Sequence, residues 1–170
     1  IKEKYKTELR SESISYEEGF HSTNLIINAS LIVKSPGIPD KAEIIKLAKS
    51  KGIEIIDELE FAFRYLKGKV IAITGTNGKT TTKELVHTVL SSSFITYATE
   101  GNLNNHIGIP LTILKIKMDA QIAIIEMGAN HQKEIESYCA YAQPTHGIIT
   151  NCGKAHLEGF GGIEGVRKGK

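Results

Sequence analysis

One stretch, Lys69 to Thr82 (KVIAITGTNGKTTT), restricts the fold of this chain more than any other. Val70, Ile71, Ala72 and Ile73 form an apolar run rich in β-branched residues, as expected of a parallel strand buried on both faces. Gly75 and Gly78 allow a sharp turn and a close backbone approach to a ligand. Lys79 then stands at the start of a helix whose first N–H groups have no partner within the helix. Those N–H groups, the helix dipole and an ammonium converge on one point, which suits a phosphate. Gly75, Thr76, Asn77, Gly78, Lys79, Thr80 and Thr81 are therefore candidate contacts to nucleotide phosphates, and the Thr80 hydroxyl suits a Mg²⁺ held against them. The strict phosphate-loop pattern G-x-x-x-x-G-K-[ST] is not met, because Ile73 occupies its first glycine position. A plain surface turn with Lys79 as a solvated charge is the competing reading.

Around this stretch the chain reads as strands alternating with helices, so the expected fold is α/β. An open, mostly parallel sheet is wrapped by helices, and ligands lie beyond the carboxyl ends of its strands. Before the loop, a helix is expected over Lys2–Arg10 and a strand and turn over Ile14–His21. A buried strand follows at Leu31–Val33, ending in the loop Ser35-Pro36-Gly37. A helix capped by Asp40 and closed by Gly52 comes next, then a strand at Ile53–Ile56 and a helix at Glu58–Leu66 anchored by Phe61, Phe63 and Tyr65. Leu66-Lys67-Gly68-Lys69 is the expected domain boundary. After it, residues 80–92 form a helix with Leu85, Val89 and Leu90 on its buried side. Strands are expected at Phe94–Ala98, Gln121–Met127 and His146–Thr150, the last two buried. Helices are expected at Leu111–Lys115 and Lys133–Ala142, and the segments 101–110 and 151–162 are polar, glycine-bearing edge loops.

Several side chains in those edge loops suit chemistry. Glu126 ends an otherwise apolar strand, where an uncompensated carboxylate is costly to bury. Beside Thr80 it could hold Mg²⁺; otherwise it is a strand-end acid with a hydrogen bond. His156 is a reasonable ligand for a second divalent ion, or a solvated loop histidine. Asn102, Asn104 and Asn105 suit an uncharged polar contact to substrate, or simply turn chemistry. His106 and His131 lie in edge loops and could touch substrate. His21, His87 and His146 form no constellation.

Composition sets limits. A net charge of +2 offers no surface for nucleic acid, so phosphate affinity must be local. Two separated cysteines, Cys139 and Cys152, make neither a disulfide framework nor a zinc site, and a cytoplasmic setting is expected. The first residues do not resemble a signal peptide, and no apolar run approaches the roughly 20 residues that cross a bilayer.

The motifs TGTNGKTT, GNLNNHIGIPLT, IEMGANH and ITNCGKAHLEGFGGIEGV together resemble the central ATPase domain of the Mur ligases, the ATP-dependent amide-bond-forming enzymes of peptidoglycan precursor synthesis. Over residues 68–170 the likeness is to the members that add D-alanyl-D-alanine to a UDP-N-acetylmuramoyl tripeptide. Before the loop, EEGFHS, LIVKSPGIPDKAEIIK and IEIIDELEFAFRYLKGK resemble the D-glutamate-adding members, as in a hybrid that switches at the shared GTNGKTT motif. The resemblance implies a partial UDP-substrate-binding domain and linker at 1–67, with Ser35 and Gly37 near the UDP-sugar diphosphate. It implies a partial ATP-binding domain at 68–170 and no C-terminal ligase domain. It further implies ATP and Mg²⁺ as cofactors, Lys79 as a catalytic residue, and Thr80 and Glu126 at one Mg²⁺. His156 and a downstream lysine, often carbamylated, are implied at the second; Lys170 falls at that position and Lys168 is its neighbour. A monomer is expected, with a UDP-muramoyl peptide and D-alanyl-D-alanine as partners and neither nucleic acid nor membrane insertion. Little turnover is expected of so short a chain.

Overall fold

A computed structural model describes residues 1–35 and 37–170, and they divide into two compact units, Ile1–Glu58 and Leu59–Lys170. In the first unit, helices α1 (Glu3–Ser11) and α2 (Thr23–Ile27) precede a β-α-β motif formed by β1 (Leu31–Lys34), α3 (Glu43–Ser50) and β2 (Glu54–Asp57). The strands pair in parallel from Leu31 opposite Glu54 to Lys34 opposite Asp57. Ile45 and Ala48 of α3 and Ile56 of β2 are buried. Gly52 closes α3 in the left-handed region, as expected. Asp40 does not cap α3. The cap position is Ala42, and the Asp40 carboxylate instead lies 3.6 Å from both Lys34 and Lys49. The segment 14–21, expected as a strand and turn, is irregular, because its weak alternation meets no partner strand among the described residues. Pro36, part of the expected loop, lies outside the described residues.

The second unit opens with α4 (Glu58–Tyr65), which begins on the last residue of the first. Its packing residues are Leu59, Ala62 and the following Leu66, which lie against the core. Phe61 and Tyr65 are exposed, with ring centres 4.8 Å apart, so these two are not the expected anchors, because helical spacing turns them to the opposite side; Phe63 is half-buried. The unit continues through β3 (Lys69–Thr74), α5 (Lys79–Ser91), β4 (Thr96–Ala98), α6 (Gly108–Lys115), β5 (Ile122–Glu126), α7 (Glu134–Ala142), β6 (His146–Ile149), α8 (Leu157–Phe160) and α9 (Ile163–Gly169).

The four strands form a parallel sheet in the order β4-β5-β3-β6. Side chains alternate across it. Val70, Ala72, Ala123 and Ile125 join Ile109 and Ile113 of α6, Tyr138 of α7, Phe160 and Val166 on one face. Ile73, Ile122 and Ile124 meet Val86 and Leu90 of α5 on the other. Two expectations fail here. Leu85 and Val89 are 63% and 69% exposed. They lie on the far side of α5 from Lys83, Val86 and Leu90, whose i, i+3, i+7 spacing faces the sheet. The strand at 146–149 is not buried: it is an edge strand paired only with β3 among the described residues, and Ile149 is 56% exposed. No described helix is long and apolar enough to cross a membrane.

Candidate functional site

The carboxyl end of β3 carries the phosphate loop. Gly75 has φ +135°, and a Cβ there would stand 2.1 Å from the Thr150 hydroxyl, so only glycine fits. Gly78 takes φ +78° as the residue that launches α5. The loop is fastened by the segment following β6. Thr76 N–H donates to the Asn151 carbonyl at 3.0 Å, and the Thr76 hydroxyl bonds both the carbonyl and the N–H of Gly153 at 3.2 and 3.0 Å. The Asn151 amide brackets Asn77, accepting from its N–H at 3.2 Å and donating to its carbonyl at 2.9 Å, while the Thr150 hydroxyl donates to the same carbonyl at 2.6 Å. Thr150 and Asn151 were not singled out from the sequence, although they lie inside the ITNCG motif. Their role comes from β6 pairing beside β3, a long-range contact.

Lys79 begins α5 and folds back over the loop, its ammonium donating to the carbonyls of Gly75 and Thr76 at 2.9 and 3.2 Å. Those are weak substitutes for phosphate oxygens, and the charge is free to exchange them. Thr80 and Thr81 are exposed in the first turn of the same helix. On the neighbouring strand, in register with Ile73, Glu126 is fully buried. Its Oε1 accepts from the Asn104 amide at 2.7 Å, and its Oε2 is buried with no hydrogen-bond partner among the described residues. A buried carboxylate oxygen left bare is costly, and a cation is the natural partner for it.

A pocket of about 160 Å³ opens between these elements, lined by Gly75, Thr76, Lys79, Asn104, His156 and Lys170 among others. His156 caps α8 with φ +52°, an uncommon conformation for a residue with a side chain. Lys170 donates to the Ala129 carbonyl at 3.2 Å, and its ammonium lies 5.4 Å from the Phe160 ring centre. Burial holds its pKa below the ordinary lysine value, and the nearby Lys79 charge adds to the effect. Lys168 is exposed and does not line this pocket. Of Asn102, Asn104 and Asn105, Asn104 reaches the pocket, which Asn130 also lines. Asn105 accepts from the N–H groups of Ile107 and Gly108 at 3.1 and 2.9 Å, starting α6 earlier than expected, and Asn102 is exposed. His106 and His131 are exposed, the latter 3.6 Å from Glu134. Among the described residues no group of three or more His, Cys, Asp and Glu side chains gathers as a metal cluster, and neither Thr80 nor Glu126 lines this pocket. Ser35 lies in the first unit, where its hydroxyl donates to Glu58 at 2.5 Å; Gly37 is exposed beside it.

A parallel sheet with helices on both faces, a lysine-bearing glycine loop opening a helix, and an acid ending the adjacent strand define an α/β domain of the P-loop type. The family of the Mur ligase middle domain matches residues 73–170. The chain belongs to the Mur ligase family through that domain. It is 43% identical over 102 residues to the UDP-N-acetylmuramoyl-tripeptide–D-alanyl-D-alanine ligase of Bacillus subtilis, covering 60% of this chain and 22% of that protein. It is 50% identical over 105 residues to the UDP-N-acetylmuramoylalanine–D-glutamate ligase of Cytophaga hutchinsonii, covering 61% of this chain and 23% of that one. The structure is similar to that of MurF ligase from Thermotoga maritima in complex with ADP, with a TM-score of 0.61 and 28% identity over 82% of this chain and 38% of the other. The chain thus matches less than a quarter of the length of either curated relative.

Proposed function

We propose that this chain supplies the ATP-binding part of a ligase of peptidoglycan precursor synthesis that adds D-alanyl-D-alanine to UDP-N-acetylmuramoyl tripeptide. The observation that carries the reading is the bare, buried Oε2 of Glu126 on the strand beside the phosphate loop. That pairing of an anionic oxygen with a phosphate cradle makes sense when a cation and a nucleotide come between them. On this reading residues 68–170 are part of the ATP-binding domain. Residues 1–67 are part of the UDP-substrate domain and its linker, with Ser35 and Gly37 toward the diphosphate. The chain acts as a monomer in the cytoplasm.

In the reaction, a substrate carboxylate attacks the γ-phosphorus of ATP, the bond to the β-phosphate oxygen breaks, and ADP leaves. The resulting acyl phosphate is attacked at its carbonyl carbon by the incoming amine. A tetrahedral intermediate then expels inorganic phosphate, and the amine proton passes to solvent. Lys79 and the N–H groups opening α5 stabilise the charge on the transferring phosphoryl group. Asn104 orients the Glu126 carboxylate, and the exposed Asn102 in the same loop would meet substrate, with the Asn105 amide nitrogen beside it while its oxygen starts α6. Divalent ions, when bound, offset phosphate charge; Thr80 and Glu126 would hold one, and His156 with a carbamylated Lys170 a second. The bare Glu126 oxygen fits that demand, and burial of Lys170 favours the neutral amine that carbamylation needs.

A second reading, D-glutamate addition to UDP-N-acetylmuramoyl-L-alanine, is favoured by the 50% identity to the Cytophaga hutchinsonii enzyme. A phosphate-release assay separates the two. Release with UDP-muramoyl tripeptide and D-alanyl-D-alanine supports the first, and release with UDP-muramoyl-L-alanine and D-glutamate the second. Nucleotide binding without release under either condition would make this chain a nucleotide-binding segment with no turnover of its own.

A further inference from the structure

Lys83 carries an ammonium that the proposed reaction does not use. It lies one helical turn beyond Lys79 on α5, on the stripe that faces the sheet, and it is 0% exposed. Lysine is almost never buried to this degree unless its donors are taken up. Here they are: the ammonium donates to the Thr99 carbonyl at 2.6 Å and toward the Gly101 carbonyl at 3.5 Å, and it pairs with Glu84 at 2.8 Å. Two of these acceptors are backbone atoms of the segment that follows β4.

That segment holds Glu126 from two directions. The Thr99 hydroxyl accepts the Glu126 N–H at 3.0 Å, and Thr99 N–H donates to the Ile124 carbonyl at 3.0 Å. Gly101 then turns the chain with φ +54°, and Asn104 donates to the Glu126 carboxylate at 2.7 Å while its carbonyl accepts the Gly128 N–H at 2.7 Å. Backbone and side chain of Glu126 are both fixed by residues 99–104. Lys83 ties those residues back to the phosphate-loop helix through the Thr99 and Gly101 carbonyls.

We infer that Lys83 is a positioning residue: through the 99–104 segment it sets where the Glu126 carboxylate stands relative to the helix that Lys79 opens. This rests on the nucleotide-site reading above, and it assigns Lys83 to cation affinity and not to nucleotide affinity as such. A surface lysine on α5 would do neither, and a lysine buried only to fill space would be replaced by methionine without effect on the site.

The test compares the parent chain with Lys83→Met, which keeps the stem and removes the donors, and with Lys83→Arg, which keeps the charge. Mn²⁺ binding in the presence of a non-hydrolysable ATP analogue is read by electron paramagnetic resonance, analogue binding is read in EDTA, and hydrogen exchange is followed across 99–104. Lys83→Met is expected to weaken Mn²⁺ by about tenfold or more, the scale of a lost charge-assisted hydrogen bond. It should leave metal-free nucleotide binding within about threefold and speed exchange at 99–104 more than in β3. Lys83→Arg should recover part of the Mn²⁺ affinity. Equal losses of metal and nucleotide binding, or an unchanged Mn²⁺ affinity in a folded Lys83→Met, overturn the inference while leaving the nucleotide site intact. If Lys83→Met fails to fold, Thr99→Val cuts the same chain at the Glu126 N–H and is held to the same criteria. A parent chain that binds no nucleotide overturns the site reading and this inference with it.

Discussion

At the scale of single residues, the phosphate loop is held by backbone geometry as much as by side chains. Gly75 shows this best. Replacing it with alanine forces a side chain into φ +135° and against Thr150, so Gly75→Ala should lose about 3 kcal/mol or more in urea unfolding and release the loop from the 150–153 segment. A drop under 1 kcal/mol would mean that the β6 loop yields easily. The loop was legible in the sequence because its requirements are local: two glycines, a lysine and a helix start within a few residues. Lys83 was not. Its place on the Val86–Leu90 stripe signals burial, but the backbone carbonyls of a distant loop that satisfy the ammonium are a long-range contact. Glu126 fell between these cases. Its strand-end position was readable, but the bare Oε2 that sets its chemistry depends on where Asn104 arrives.

At the scale of elements, α5 presents two apolar sides and the sheet selects one. Leu90 packs on Ile73 and its neighbours, whereas Leu85 is exposed. Leu90→Ala should therefore cost about 2 kcal/mol and Leu85→Ser under about 0.5 kcal/mol in denaturant midpoints. The reverse order would put the sheet on the other side of the helix. Periodicity alone favoured Leu85 and Val89 because they share a face with each other; only the register of α5 on the sheet decides between faces. The same limit explains the strand at 146–149, whose apolar character suits a core strand but whose place in the order is outermost. Helix α7 offers a pH test. Burial first, then Tyr138 and Cys139, push the Tyr141 phenol up to about 12. An acid whose pKa is raised by folding costs nothing while both states are protonated. As pH climbs past the ordinary tyrosine value of about 10, the unfolded chain ionises first and stability falls until the folded pKa is reached. Tyr141→Phe should flatten that alkaline decline between about pH 10 and 12 in urea midpoints. An unchanged slope would mean that the phenol is solvated.

At the scale of the whole molecule, the chain is two compact units, and every candidate residue for the phosphate site lies in the second. Residues 59–170 alone should therefore bind a nucleotide within about threefold of the full chain. The alternation of strands and helices made the α/β class legible, since buried parallel strands are apolar without interruption. Compact packing divides the chain at Glu58, earlier than the glycine at 68 suggests, because Leu59, Ala62 and Leu66 belong to the second core. The most direct measurement of the central claim is calorimetric titration of the chain with Mg²⁺ and a non-hydrolysable ATP analogue, beside Lys79→Ala. One-site binding that weakens by about thirtyfold or more in the mutant is the predicted result, the scale of a lost ammonium-to-phosphate contact. Equal binding by the folded parent and mutant, or none by the folded parent, would contradict it.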